Sequence, residues 1–243
     1  MKIIIAKDYE ELSQKAFEVM AEVLDKNPNA VLGLATGSTP VGLYEKMAED
    51  HVKTGRSYKG VSAFNLDEYV GLSAENDQSY RYFMRKNLFD KIDIDLDRTE
   101  IENGLAPVAE EECARYNALL AKTPRDIQLL GIGANGHIAF NEPGTPFETE
   151  THVVDLTQNT IEMNARFFKD ISEVPRRAFT MGPKNIMDAK RILILASGAN
   201  KAAAVYGMVK GEVTEALPAS VLQRHPDCVL IADKEAAALL GEL

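Results

Sequence analysis

The sequence is short of several residue types, and each shortage narrows what the protein can be. Its 243 residues include two cysteines, Cys113 and Cys228, and no tryptophan. The cysteines lie far apart and belong to no paired motif, so a disulfide framework is excluded and a reducing compartment is indicated. There is no HExxH motif and no Cys/His cluster. We therefore expect no metal site.

Positive charge and long apolar runs are also scarce. The formal net charge is −10 at pH 7, which argues against partners such as nucleic acid or an anionic membrane surface. No apolar run approaches the roughly 20 residues of a membrane-spanning helix, and the apolar N-terminal stretch is too short for a signal peptide. We expect a cytoplasmic protein. A small anionic substrate stays compatible, because a few local cations can bind one.

What the sequence does contain is an alternation of short apolar runs with helical patterns. Strands are predicted at residues 2–6, 30–35, 61–66, 126–132, 191–197 and 228–232. Helices are predicted at 9–26, 79–89 and 109–120. Three more are predicted to follow Pro40, to run from the turn at 198–200 through Lys210, and to follow Asp233 as the final helix. This order predicts βαβ units and a mostly parallel sheet in the α/β class. No linker is visible, so we expect one domain over residues 1–243, with 148–174 its least regular segment and a candidate mobile one.

The first candidate site is the turn Gly37-Ser38-Thr39, which follows the strand at 30–35 and precedes a helix. Glycine allows a ligand close to the backbone. The unpaired N–H groups and positive dipole end of a helix N-terminus attract anions. The turn matches neither a Walker loop nor a dinucleotide fingerprint, and a plain helix start is the alternative reading.

The second candidate is the pair Asp67-Glu68, directly after the strand at 61–66. Neighbouring side chains on an extended chain point in opposite directions. We therefore expect one carboxylate to face a crevice and the other to face the protein or solvent. A solvated or capping pair is the alternative.

The third candidate is the most specific, and it follows the strand at 126–132. Asn135, His137 and Glu142 lie within eight residues in a glycine-rich turn. Open α/β sheets place their chemistry at such strand ends. Histidine suits proton transfer near neutral pH, and a carboxylate can orient its ring. A structural histidine bonded to backbone carbonyls is the alternative.

Cations for an anionic substrate are harder to select from spacing. Lys201 follows the strand at 191–197, and Arg166 precedes two phenylalanines. Either could be an ordinary surface residue, and Arg176 and Arg177 are predicted to be solvated. Arginine forks match phosphate well, while lysine acts as a point charge.

Several blocks of the sequence together resemble the glucosamine-6-phosphate deaminase family. These blocks are Leu34–Pro40, Phe64–Tyr69, Gly131–Pro143, Asn164–Phe168 and Gly198–Ala202. The block Gly-His-Ile-Ala-Phe-Asn-Glu-Pro is highly specific. The resemblance implies a Rossmann-like, doubly wound fold. It also implies conversion of glucosamine 6-phosphate and water to fructose 6-phosphate and ammonia, with no metal or organic cofactor.

The resemblance also implies roles for individual residues. Asp67 is similar to the base that moves a proton between C2 and C1 of the sugar. His137 is similar to the ring-opening acid/base, held by Glu142 and Asn135. The residues that resemble the phosphate-binding set are Gly37, Ser38, Thr39, Arg166 and Lys201.

Two departures from the family pattern modify these expectations. Some members carry an aspartate where this chain has Asn135, so Glu142 is the one evident carboxylate near His137. The larger allosteric members have basic residues where residues 150–155 stand here, and a longer C-terminal extension beyond the position of Leu243. We therefore expect no activation by N-acetylglucosamine 6-phosphate, and a monomer or small homo-oligomer.

Two other functions compete with the deaminase. A 6-phosphogluconolactonase-like hydrolase shares the fold and a Gly-His turn, but lactone hydrolysis needs no proton transfer at C2. A non-catalytic sugar-phosphate-sensing domain is the alternative from another class. The joint presence of Asp67, His137 and Glu142 argues against mere binding.

Overall fold

The computed structural model describes residues 1–158, 161–162, 168 and 170–241. The strands in this part of the chain are β1 (Lys2–Ala6), β2 (Val31–Leu34), β3 (Ser62–Asn65), β4 (Asp67–Tyr69), β5 (Thr99–Glu100), β6 (Ile127–Gly131), β7 (His152–Asp155), β8 (Arg177–Thr180), β9 (Ile192–Ala196) and β10 (Cys228–Asp233). The α-helices are α1 (Tyr9–Lys26), α2 (Val41–Thr54), α3 (Tyr80–Asn87), α4 (Ala109–Lys122), α5 (Pro183–Met187) and α6 (Ala202–Lys210).

Seven strands form one parallel sheet in the order β1-β10-β9-β6-β2-β3-β5. Its central strands β6, β9 and β10 are almost entirely buried, as expected for a parallel sheet covered by helices. The sequence pattern predicts these strands because most of their residues are apolar. The predicted α/β fold of Rossmann-like type, with a mostly parallel sheet, is confirmed.

A second, smaller sheet was not predicted. Its three strands are antiparallel and lie in the order β4-β8-β7. The predicted strand at 61–66 is in fact followed by a change of sheet: β3 ends at Asn65, and β4 begins two residues later in the small sheet. Leu66 bridges the two, since its N–H donates to Leu34 O (3.2 Å) and its carbonyl accepts from Met181 N–H (2.7 Å).

Helix α1 begins where the sequence predicts. The Asp8 carboxylate accepts the N–H of Glu11 (2.9 Å), and the Glu11 carboxylate accepts the N–H of Lys7 (2.7 Å). These bonds satisfy N–H groups that a helix start leaves without partners. The helix therefore starts at a position fixed by side-chain caps.

The final helix predicted after Asp233 is wrong. Residues 234–239 form turns instead. Asp233 does accept the N–H of Ala236 (2.8 Å), as a cap would, but its carboxylate also binds Ser197 Oγ (2.6 Å) and Gly198 N–H (2.9 Å). The bonds that follow mix i+3 and i+4 spacing, which leaves no regular helix. Part of the segment 148–174 forms β7, and its possible mobility is a prediction that falls partly outside the described residues.

Candidate active site

The candidate site is a cavity of about 680 Å³ at the carboxyl ends of β2 and β6. These strands are neighbours, but the chain continues from β2 to β3 on one side and from β6 to β9 on the other. Such a reversal of strand order opens a crevice above the sheet, where α/β proteins bind ligands. Turns after both strands line the cavity, together with one side of α3.

The turn Gly37-Ser38-Thr39 lies at one end of this cavity. Gly37 has φ +94°, a conformation that favours glycine. The Tyr9 hydroxyl lies 3.0 Å from Ser38 O and accepts the N–H of Gly42 (2.9 Å), which fixes the turn to the start of α2. The N–H groups of residues 37–39 have no acceptor among the described residues. The turn can therefore offer several donors and a helix N-terminus to an anion.

Lysines supply positive charge to the same cavity. Lys201 lies in the short 3-10 helix Ala199–Lys201 after β9, and burial lowers the pKa of its ammonium group. No carboxylate of the described residues lies within ion-pair distance of it. Lys86, near the end of α3, also lines the cavity and was missed from the sequence. Arg166, the other predicted phosphate-binding cation, lies outside the described residues.

Asp67, the first residue of β4, places its carboxylate at the cavity wall. It is 7% exposed, and none of the described groups donates a hydrogen bond to it. Burial, with a smaller contribution from the negative charge of Glu68, raises the pKa of Asp67 to about 8. A carboxyl group in this state accepts protons readily near neutral pH.

Glu68 points the other way, as the alternation of side chains predicts. Its carboxylate accepts three backbone N–H groups, from Tyr69 (2.8 Å), Tyr80 (2.9 Å) and Arg81 (3.0 Å). Two of these belong to the first turn of α3, so Glu68 fastens that helix to β4. Burial nevertheless raises the pKa of Glu68. The pair thus divides into a carboxylate facing the cavity and one anchored in the protein.

His137, Glu142 and Asn135 are joined by hydrogen bonds. His137 Nδ1 lies 3.1 Å from Glu142 Oε1, and Asn135 Nδ2 donates to Glu142 Oε2 (2.6 Å). The bond with His137 holds the pKa of Glu142 below its ordinary value, so this carboxylate stays ionised. An ionised acceptor requires a proton on Nδ1, which leaves Nε2 as the basic nitrogen of the neutral ring.

Gly133 explains why small residues surround the histidine. A Cβ atom built on Gly133 would lie 2.5 Å from His137 Nε2, so any larger residue would displace the ring. The N–H of Gly133 also donates to His137 O (2.9 Å), which closes the turn. The ring is therefore packed against bare backbone at the cavity wall.

A further buried carboxyl group, Glu102, lies behind the cavity. It is 1% exposed, and neither of its oxygens has a hydrogen-bond partner among the described residues. Burial, and then the charges of Asp67 and Glu68, raise the pKa of Glu102 far above its ordinary value. It does not line the cavity, so the structure separates this buried acid from the residues that a ligand can reach.

No group of three or more His, Cys, Asp or Glu side chains among the described residues could hold a metal ion. Within the same residues, no helix is long and apolar enough to cross a membrane.

The fold and the cavity define a class: α/β proteins with an acid/base cluster at the strand ends of a parallel sheet. Within that class the chain belongs to the family described as glucosamine-6-phosphate isomerases/6-phosphogluconolactonase, which it matches over residues 7–230.

Curated relatives and solved structures agree with this assignment. A glucosamine-6-phosphate deaminase of Clostridium perfringens is 51% identical over 99% of this chain and 100% of its own. That of Halalkalibacterium halodurans is 52% identical over 97% of this chain and 96% of its own. The structure of a monomeric glucosamine-6-phosphate deaminase is similar with a TM-score of 0.95 and 46% identity, covering 98% of this chain and 100% of the other. A 6-phosphogluconolactonase from Trypanosoma cruzi, 23% identical over 99% of this chain and 97% of its own, shares the fold with a TM-score of 0.80.

Proposed function

We propose that this protein is a glucosamine-6-phosphate deaminase, which converts glucosamine 6-phosphate and water to fructose 6-phosphate and ammonia. The observation that carries the proposal is a single cavity with a buried, unbonded carboxyl group, Asp67, and a His137–Glu142 pair. The curated deaminases that match about half of the residues over nearly the whole chain support it.

The reaction begins with opening of the sugar ring, which we assign to His137. The C1 hydroxyl loses a proton and the ring oxygen gains one. Nε2 of a neutral His137 can take the first proton and return it as the second, because Glu142 keeps Nδ1 protonated. Asn135 holds the other oxygen of Glu142. A general acid–base step of this kind contributes roughly 10²–10⁴-fold to a rate.

Isomerisation follows, and we assign it to Asp67. The carboxylate removes the proton from C2 of the open chain and delivers it to C1, while a proton of the C2 ammonium group passes to the C1 oxygen. This leaves a protonated imine at C2. Water then adds to C2 and ammonia leaves, giving the ketose. Burial raises the proton affinity of Asp67, which strengthens it as a base towards a carbon-bound proton.

Phosphate binding holds the sugar in place for both steps. We assign it to the turn of Gly37, Ser38 and Thr39 with Lys201, and to Arg166 by resemblance alone. Binding energy from the phosphate group, distant from the reacting carbons, can be used to hold C2 against Asp67. We also propose that the protein works as a monomer in the cytoplasm, as a single domain. The monomeric state of its solved structural relative supports the first point.

A coupled assay for ammonia tests the proposal. We expect the wild-type chain to release one ammonia and one fructose 6-phosphate for each glucosamine 6-phosphate consumed. It should hydrolyse 6-phosphogluconolactone no faster than the uncatalysed rate. Hydrolysis of the lactone without ammonia release would favour the lactonase instead. Tight binding of glucosamine 6-phosphate with recovery of intact sugar would favour a sensing domain.

A further inference from the structure

The two acid/base groups of the cavity come from different sheets. His137 lies in the turn after β6, in the large parallel sheet, whereas Asp67 begins β4 of the small antiparallel sheet. Proton transfers at C1, C2 and the ring oxygen require both groups at fixed distances from one sugar. Some contact must therefore set the position of one sheet's group relative to the other's.

The turn that carries His137 is bonded to the end of β8. The N–H of Phe140 donates to Thr180 Oγ1 (3.1 Å). The Asn141 side-chain amide donates to Met181 O (2.8 Å) and, within the turn, to Ile138 O (2.9 Å). Both Asn141 and Thr180 are completely buried, so water does not compete for these bonds.

Thr180, the last residue of β8, and Met181, which follows it, also hold Asp67. Thr180 is the pairing partner of Asp67 in the antiparallel sheet. The N–H of Met181 donates to Leu66 O (2.7 Å), directly before Asp67. Thr180 and Met181 are thus bonded to the His137 turn through one set of atoms and to the Asp67 strand through another.

The turn itself would not keep this shape unaided. Ala139, which lines the cavity, has φ +50°, a left-handed conformation that is unfavourable for a non-glycine residue. The buried Oδ1 of Asn141 also has no hydrogen-bond partner in the described part of the chain, which is a further cost. Strain of this kind persists only where surrounding contacts determine the conformation, and here those contacts come from β8.

We propose that Thr180 and Asn141 are positioning residues that set the separation between Asp67 and His137. The catalytic part of this inference rests on the proposed function, since it takes Asp67 and His137 as the two acid/base groups. Neither residue touches the substrate. Thr180 acts through Phe140 and the pairing with Asp67, and Asn141 acts by joining the His137 turn to Met181.

The test uses Thr180→Val, which keeps the shape and removes the hydroxyl. We expect kcat to fall about 10- to 100-fold, because a shift of about 1 Å in a catalytic group can cost this much. KM should change less than about threefold, since the phosphate-binding turn is untouched. Thr180→Ser, which restores the acceptor, should return kcat to within about threefold of wild type. Asn141→Asp, which turns donors into acceptors facing two carbonyl oxygens, should lower kcat at least as much as Thr180→Val.

The matched control is Thr151→Val. Thr151 is also buried and its hydroxyl donates to Asn185 Oδ1 (3.3 Å), which lies outside the His137 turn. We expect it to lower the thermal midpoint by a similar amount and to leave kcat unchanged. An unchanged kcat in Thr180→Val, or an equal fall in Thr151→Val, would overturn the inference.

A second readout does not depend on turnover. The NMR chemical shifts of the His137 ring protons should change in Thr180→Val and stay in place in Thr151→Val. If the wild type releases no ammonia, the proposed function fails, and this readout alone decides whether Thr180 positions His137. Unchanged chemical shifts in Thr180→Val would then reject the positioning role by themselves.

Discussion

Asp67 and Glu142 carry the same functional group in the same part of the molecule, but their surroundings make them opposites. Asp67 is buried and accepts no hydrogen bond from the described residues, and its pKa rises to about 8. Glu142 keeps 27% of its side chain exposed and bonds to His137 and Asn135, and its pKa falls. Desolvation governs the first carboxyl group and hydrogen bonding the second. The surroundings therefore make one a proton acceptor and the other a fixed anion.

The largest loss of activity should come from replacing Asp67, the proton acceptor. Asp67→Asn keeps the shape and removes the base, so we expect kcat to fall by about 10³-fold or more, with KM within a few-fold of wild type. Ammonia release under saturating glucosamine 6-phosphate measures this. A fall confined to KM would make Asp67 a binding residue and dissolve the contrast with Glu142.

Replacing Glu142, the ionised carboxylate, should lower activity less, and replacing its partner Asn135 should lower it least. We expect Glu142→Gln to lower kcat about 10²-fold, because an amide cannot hold Nδ1 protonated by charge. Asn135→Ala should cost about tenfold, since it removes two supporting hydrogen bonds, one to the Glu142 carboxylate and one from the N–H of His137, but no group that transfers a proton. The same ammonia assay ranks the two variants. Equal and mild effects would show that Glu142 does not govern ring opening.

The pH dependence of activity should be determined by the ionisation of Asp67 alone. Asp67 must be ionised to act as a base, so we expect kcat/KM to rise about tenfold per pH unit below its pKa of about 8 and to level off above it. The same acid limb should appear in Glu142→Gln at a lower overall rate. A limb that moves in that variant would assign the titration to the His137–Glu142 pair instead.

Asp67 and Glu142 should affect the pH dependence of stability in opposite directions, each changing the thermal midpoint by a few degrees. The pKa of Asp67 is raised above 3.8, so the folded protein loses stability as pH rises from about 4 to about 8. Asp67→Asn should therefore raise the thermal midpoint most near pH 8 and little near pH 4. The pKa of Glu142 is lowered from 4.5, so its contribution is present above that pH and is lost on acidification through the folded-state pKa. Glu142→Gln should lower the midpoint at neutral pH, and the difference should shrink in acid.

Glu102→Gln is the control for these melting curves. Glu102 is buried with a raised pKa, as Asp67 is, but lies outside the cavity. Its replacement should stabilise the protein with rising pH and leave ammonia release unchanged. Loss of activity in this variant would show that buried charge, and not access to the cavity, separates Asp67 from other acids.

Much of the large sheet and of the His137 turn could be predicted from the sequence, because their signals are local. Apolar runs mark β6 and β9, and the glycine-rich turn follows β6 directly in the chain. The small sheet gave no such signal. Its strands have three or four residues each, and the pairing of Asp67 with Thr180 joins distant parts of the chain. Short runs of this kind cannot be distinguished from loops by periodicity.

Some contributors to the cavity were missed for similar reasons. Lys86 stands in the last turn of α3, where a lysine is usual because it complements the helix dipole. Nothing local shows that this turn faces the cavity. The helix predicted after Asp233 failed because the capping carboxylate also binds Ser197 and Gly198, residues that follow a different strand. Both features depend on tertiary contacts.

Leu66 is the single residue between the two sheets. The number of residues at this point therefore decides which carboxylate faces the cavity. Its N–H is bonded to Leu34 in the large sheet and its carbonyl to Met181 next to the small sheet, so both backbone groups of Leu66 are held in place. An insertion directly after Leu66 would give the new residue the cavity position and turn Asp67 towards α3. A deletion there would present Glu68 to the cavity instead. The number of residues between the two sheets at this point therefore matters as much as the identity of Asp67.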